Sequence, residues 1–284
     1  MEKTEIIEEL KKHRYAHRGL FTKPTCPENS LMAFEKAAEM GFGIEFDVHL
    51  TCDAKLAVIH DSGLKRVTTV RADHRPVTPA TASIPSDIKV GCSGIIEYMT
   101  LEEAKAFCLE ESDQRIPEFR EVLELIGGRV PLIIELKPRD GNHEELVDAV
   151  IREIEGYKGL YCVESFNSFA VLYLKNKYPH IVRGQLASDL MRDAASMKPN
   201  DPRERVKTDL GKSLMVRDMM MNPLTKPDFA AYNVLDRRNR AFRKYGGMKV
   251  IWTVKDPLDL EICEKTGATC IFEGFIPDGP LKKD

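Results

Sequence analysis

Residues 41–50 read GFGIEFDVHL, a run opened by glycines in which Ile44, Phe46 and Val48 alternate with Glu45, Asp47 and His49. Side chains two apart on a strand point to the same side, so this run predicts a strand with one apolar face and one face carrying two carboxylates. A helical pattern, Ser30–Met40, precedes it. The pairing recurs along the chain. Further candidate strands are Tyr15-Ala16, Leu132–Leu136, Tyr161–Val163, Val182–Leu186, Ala230–Val234, Val250–Val254 and Cys270–Phe272. Helical patterns lie between many of them, at Glu118–Leu125, Glu144–Ile154, Ser168–Lys177, Asn239–Tyr245 and Leu258–Lys265. Strands alternating with helices imply parallel pairing through right-handed crossovers, and eight of them over this length fit a (β/α)8 TIM barrel better than an open sheet. No Gly-x-Gly-x-x-Gly follows the first strand, which weakens the doubly wound alternative.

The expectation is one domain over residues 1–284 with an inserted segment after the second strand, at about 61–115. That segment contains Pro76, Pro79, Pro85, Gly91 and Gly94, and connections of such length are usually functional caps or small subdomains. A second long connection, about 188–228, holds Pro199, Pro202, Pro223 and Pro227 around a Met-rich stretch, Leu214–Met221. Met at helical spacing reads as core filling before it reads as a lipid-facing patch. Arg237, Arg238, Arg240, Arg243 and Lys244 read as a solvated helix face.

Composition narrows the function classes. The 284 residues include 42 Lys and Arg against 45 Asp and Glu, a formal charge of -3, and 43% hydrophobic residues, which describes a folded globular chain. Balanced charge argues against nucleic acid as a partner, since phosphate-tracking surfaces make a domain basic. Met1–His13 carries four glutamates and lacks the basic start and apolar run of a signal peptide. No stretch approaches the ~18 apolar residues of a membrane span, so stable membrane insertion is not expected. The seven cysteines include no Cys-x-x-Cys pair and are read as reduced thiols in a cytoplasmic protein.

The acidic strand face has a counterpart. In Leu132–Lys137, Ile133, Glu135 and Lys137 share one side while Leu132, Ile134 and Leu136 share the other. Glu45, Asp47 and Glu135 would then crowd one rim with Lys137. Hard oxygen donors of this kind suit Mg2+ or Ca2+, and a salt-bridge network through Lys137 without a metal is the competing reading. His17 and Arg18 follow the first strand, and His60 ends the apolar run Leu56–Ile59. Two imidazoles beside an arginine meet the needs of acid-base chemistry on an anionic substrate, with Arg18 able to grip two phosphoryl oxygens. His49 shares the Glu45 and Asp47 face. Trp252, the only tryptophan, either walls the pocket against an apolar or choline-like group or fills core, and Gln185 and Asn233 offer neutral hydrogen bonds.

These residues carry a resemblance. Ala16-His17-Arg18-Gly19, Pro27-Glu28-Asn29-Ser30, Glu45-Phe46-Asp47-Val48, His60-Asp61, Glu135-Leu136-Lys137-Pro138 and Trp252-Thr253-Val254 follow one another at intervals similar to those of the glycerophosphodiester phosphodiesterase family, over about residues 14–275. The resemblance implies a (β/α)8 barrel with an insertion after the second strand. It implies metal-dependent hydrolysis of small glycerophosphodiesters, such as glycerophosphocholine or glycerophosphoethanolamine, to sn-glycerol 3-phosphate and an alcohol. By position, Glu45, Asp47 and Glu135 resemble the ligands of one divalent cation, His17 and His60 the acid-base pair, and Arg18 and Lys137 the phosphate-binding cations. Glu28 resembles a polar residue beside the metal, and Asn29 is read as a helix cap. Near the end, Ile271-Phe272-Glu273-Gly274-Phe275 departs from the family's Thr-Asp pair. A related barrel acting on intact lipids and a binding module without turnover remain as alternatives.

Overall fold

A computed structural model of the chain describes residues 1–69, 71–72, 75–76, 94–190 and 210–282. Its main sheet contains the eight expected strands: β1 (Tyr15–His17), β2 (Gly43–Leu50), β3 (Leu132–Leu136), β4 (Tyr161–Ser165), β5 (Arg183–Ala187), β6 (Phe229–Asn233), β7 (Met248–Val254) and β8 (Thr269–Phe272). Their hydrogen-bonded order is β1-β8-β7-β6-β5-β4-β3-β2, and a β1–β2 pairing closes the (β/α)8 barrel. Pairings such as β2 with β3 and β6 with β7 are parallel, as strands joined by helical crossovers must be. By internal contacts the chain forms two compact units, Ala16–Leu160 and Met1–Tyr15 with Tyr161–Asp284.

Within Ala16–Leu160, the alternation of β2 does what the sequence suggests. Phe46 turns outward, 5.5 Å from the ring of Phe34 on helix Leu31–Glu39 and 6.0 Å from Phe119 on helix Phe119–Ile126. Burying each such ring contributes ~1.5–3 kcal/mol, which helps offset the cost of burying Glu45 and Asp47 on the other face. Helix Leu31–Glu39 starts at Ser30, whose Oγ accepts from the Ala33 N–H at 3.1 Å. Asn29 is therefore not the cap. Its backbone is left-handed, with φ 55°, and its side chain turns inward to Asp47 instead. Gly19 precedes this helix at φ 81°, where a Cβ would sit 2.8 Å from the backbone of Ala33, so only glycine lets the turn after β1 pack so closely.

Beyond its barrel portion β2 continues into a hairpin with the short antiparallel strand Leu56–Val58, pairing Val48 with Val58 and Leu50 with Leu56. Thr51 Oγ1 accepts from Lys55 N at 3.0 Å and secures the turn. The returning chain runs back beside Asp47, whose carbonyl accepts from Ile59 N at 3.2 Å. His60 is delivered to the acidic strand by this hairpin. The described part of the inserted segment is also ordered by burial: Leu64, Val67, Ile96, Met99, Leu101 and Phe107 pack with Ala57 and Ile59 in one apolar cluster. Pro79, Pro85, Gly91 and His74 lie outside the described residues, as do Pro199 and Pro202 of the second long connection.

In the other unit, residues of β5 to β8 and of nearby helices pack around Tyr232, Ile251, Val254, Leu260 and Cys270. The Met-rich stretch is only partly core. Met219, just past the helix Leu210–Arg217, is buried in that cluster, whereas Met215 on the helix is 41% and Met220 61% exposed. The basic residues Arg238, Arg240, Arg243 and Lys244 are exposed, as a solvated face requires. Among the described residues six cysteines are free thiols, and no helix is long and apolar enough to cross a membrane.

Candidate active site

Every candidate ligand and acid-base residue comes from the Ala16–Leu160 unit. In the β2–β3 register Asp47 lies directly beside Glu135, with Glu45 two residues earlier on the same face. One carboxylate oxygen from each of Glu45, Asp47 and Glu135 falls within 4.8 Å of the others, and all three residues are buried. Lys137, one residue past β3, places its ammonium 2.7 Å from Glu135 Oε1 and 3.1 Å from Asp47 Oδ1. Those two oxygens have no oriented hydrogen bond among the described residues, so Lys137 alone offsets them at close range. Arg18 adds its Nε at 3.5 Å from Asp47 Oδ2, and Asn29 Nδ2 donates to that oxygen at 2.9 Å.

Asp47 and Glu135 thus share one ammonium, and Asp47 also meets the edge of one guanidinium. The strain of that arrangement shows in their protonation. Burial pushes Glu135 above the ordinary carboxylate range, and the neighbouring Asp47 charge pushes the same way against Lys137. Burial acts on Asp47 too, yet Lys137, His60, Arg18 and the Asn29 hydrogen bond hold it well below that range. Lys137 is held in its charged form against burial by Asp47 and Glu135. A site that raises the affinity of one carboxylate for a proton has room for another cation, and an all-oxygen donor set fits a hard divalent ion.

His60 meets this cluster from the hairpin. Burial and then Lys137 lower its pKa to about 4, so the ring is neutral at neutral pH. Its Nδ1 is 2.5 Å from Asp61 Oδ1. Because a carboxylate only accepts, the proton of the neutral ring sits on Nδ1, and Nε2 carries the lone pair. His17, the last residue of β1, has Nε2 3.9 Å from Glu45 Oε2. Arg18 adopts φ 55°, and its N–H donates to the Glu45 carbonyl at 2.8 Å. This turns its side chain over β2, where Nη1 donates to Glu28 Oε1 at 2.7 Å.

The other residues singled out in the sequence have these surroundings. His49 does lie on β2, but its nitrogens face Glu97 Oε1 at 2.7 Å and the His60 carbonyl at 3.1 Å, so it ties the inserted segment to the hairpin. Trp252 belongs to the other unit, where it is half-buried and meets Phe166 edge-on at 5.6 Å. Gln185 is buried and donates to the carbonyls of Ser165, Phe166 and Leu186. Asn233 Oδ1 accepts from Leu235 N at 2.9 Å as the cap of a short helical turn. On the stretch that departs from the family pattern, Glu273 pairs with Lys255 at 2.6 Å.

Two partners escape sequence reading altogether. Asn29 as a donor to Asp47 and Arg66 as a partner of Glu28 and Asp61 depend on where the hairpin and the first βα turn meet, and no spacing signals either. Glu28 accepts from Arg18, Arg66 and Lys23, the last at 3.0 Å. Burial raises its affinity for a proton, but Arg66, Arg18 and Lys23 together hold it well below the carboxylate range. A depressed native pKa contributes stability above the unfolded value of about 4.3 and loses it as pH falls toward the native one. Glu28→Gln should therefore lower the melting temperature at pH 7, with the gap from wild type narrowing below pH ~4. Thermal melts between pH 7 and 3 check this, and a constant gap would refute it.

Residues 17–276 match the glycerophosphoryl diester phosphodiesterase family. A glycerophosphodiester phosphodiesterase of Caldanaerobacter subterraneus subsp. tengcongensis is 27% identical over 275 residues, covering 93% of this chain and 93% of that protein. One from Bacillus altitudinis is 32% identical over 188 residues, 62% of this chain and 67% of its own length. Among solved structures, an Oleispira antarctica phosphodiesterase in complex with the product sn-glycerol-3-phosphate shares the fold over 96% of this chain and 95% of that one, with TM-score 0.67 and 20% identity.

Proposed function

The chain belongs to the glycerophosphoryl diester phosphodiesterase family, and for this enzyme we propose metal-dependent hydrolysis of small glycerophosphodiesters to sn-glycerol 3-phosphate and an alcohol. Glycerophosphocholine and glycerophosphoethanolamine are the substrates of choice. The observation that carries the reading is the convergence of three buried carboxylates within 4.8 Å with an imidazole whose tautomer is set by Asp61. Glu45, Asp47 and Glu135 would hold one divalent cation, Mg2+ or Ca2+, which supplies charge neutralisation and polarisation of a phosphoryl oxygen.

The remaining steps fall to side chains. Arg18 and Lys137 face the non-bridging oxygens of the phosphodiester, Arg18 as a fork and Lys137 as a point charge. His60 presents an unprotonated Nε2 and takes the proton of the attacking hydroxyl, from water or from the glycerol 2-hydroxyl. His17 returns a proton to the departing alcohol oxygen, so the phosphorus–oxygen bond breaks without releasing a free alkoxide. Over the whole reaction one water is consumed and one phosphomonoester is formed.

His60→Gln keeps a polar side chain of similar reach and removes the proton acceptor. Its kcat for choline release from glycerophosphocholine should fall by ~10²–10⁴-fold, the usual share of a general base. His17→Gln should fall comparably. Rates within a few-fold of wild type for both variants would remove the acid-base assignment.

A further inference from the structure

We infer that Arg66 is a positioning residue, a single guanidinium that sets His60 and Arg18 in one frame by forking onto the carboxylates behind each of them. The inference rests on the roles proposed above for His60 and Arg18.

One fork meets Asp61: Arg66 Nε donates to Oδ2 at 2.5 Å and Nη2 lies 3.3 Å from Oδ1. The second meets Glu28: Nη2 donates to Oε1 at 2.6 Å and Nη1 to Oε2 at 3.0 Å. Asp61 Oδ1 is the oxygen that receives His60 Nδ1, and Glu28 Oε1 is the oxygen that receives Arg18 Nη1. An unbroken chain of charge-assisted bonds therefore runs from His60 through Asp61, Arg66 and Glu28 to Arg18. Lys23 also holds Glu28, whereas the orientation of Asp61 toward His60 is set by Arg66. Asp61 is half-buried, on a chain entering the insertion, and with one oxygen pinned by Arg66 its other oxygen can hold only one ring orientation.

The shape of the residue matters here. Two forks at an angle to one another need the planar guanidinium with its five N–H groups, and an ammonium can serve one carboxylate well but not both in this geometry. Backbone and packing in turn hold Arg66. It closes the short helical turn Leu64–Arg66, Leu64 is 4% exposed in the apolar cluster of the insertion, and Leu64 N donates to Gly94 O at 2.9 Å. The insertion thereby contributes the Arg66 side chain to the alignment of the catalytic groups.

Arg66→Lys and Arg66→Gly test this against glycerophosphocholine, with His60→Gln and Arg18→Met as controls. Arg66→Lys should keep the wild-type circular dichroism spectrum, lose ~10–100-fold in kcat through misalignment of His60, and raise KM through the loosened Arg18. Millimolar guanidinium ion should restore activity several-fold to Arg66→Gly and not to the double variant that also carries Asp61→Asn, a rescue that a purely structural arginine would not show. An Arg66→Lys enzyme within twofold of wild type in both kcat and KM would overturn the inference. So would an Arg66→Gly loss that matches its unfolded fraction and does not respond to guanidinium. Control variants as active as wild type would instead overturn the reading of the site on which the inference stands.

Discussion

Asp47→Asn should lower kcat for glycerophosphocholine by about 10³-fold and leave the barrel folded. The side chain is 1% exposed and lies where every part of the site meets: Lys137 at 3.1 Å, Arg18 Nε at 3.5 Å and the Asn29 amide at 2.9 Å. Asparagine preserves volume and the strand, because the main-chain bond from Ile59 N to the Asp47 carbonyl does not involve the side chain. What it changes is charge and polarity. Whichever oxygen the NH2 replaces, it meets a donor, Lys137 at Oδ1 or the Asn29 amide at Oδ2, and the lost charge leaves the cations without the anion that holds them toward the phosphate. It also leaves two carboxylates to hold a divalent ion. Steady-state kinetics with circular dichroism and a thermal melt checks the result, and a folded variant within tenfold of wild type would show that Asp47 is peripheral.

Much of this site is legible in the sequence alone, and for a physical reason. The period of two along a strand places Glu45 with Asp47, and Glu135 with Lys137, on single faces regardless of how the rest of the chain folds. Alternating strands and helices then leave few ways to arrange them, and eight strands close a barrel. The family resemblance supplies the grouping of those two faces with His17, Arg18 and His60. Contacts made across the hairpin are not legible. Ser30 displaces Asn29 as the helix cap because its hydroxyl reaches Ala33 N, and this frees Asn29 to turn inward at a left-handed backbone position. Arg66 lies five residues beyond Asp61 in a segment whose proline and glycine content suggests only a long loop, so nothing in its spacing announces two carboxylate partners. His49 has the right face and the wrong neighbours, since Glu97 of the inserted segment occupies one of its nitrogens.

Removal of divalent cations should be the other change of this size. Burial and the neighbouring Asp47 charge already raise the proton affinity of Glu135, and an incoming phosphodiester adds a further negative charge beside Glu45, Asp47 and Glu135. Lys137 lies against Glu135 and Asp47 and the edge of Arg18 against Asp47, and both are already engaged by these carboxylates or by Glu28. Chelation should therefore cut turnover by about 10³-fold, ~4 kcal/mol of barrier, with recovery on adding Mg2+ or Ca2+. Phosphorus NMR of cation-stripped enzyme with glycerophosphocholine reads both the dependence and the bond broken. The diester resonance should stay unchanged until the cation is added and then give way to that of sn-glycerol 3-phosphate; phosphocholine as the product, or no phosphomonoester with either cation, would contradict metal-dependent release of glycerol 3-phosphate.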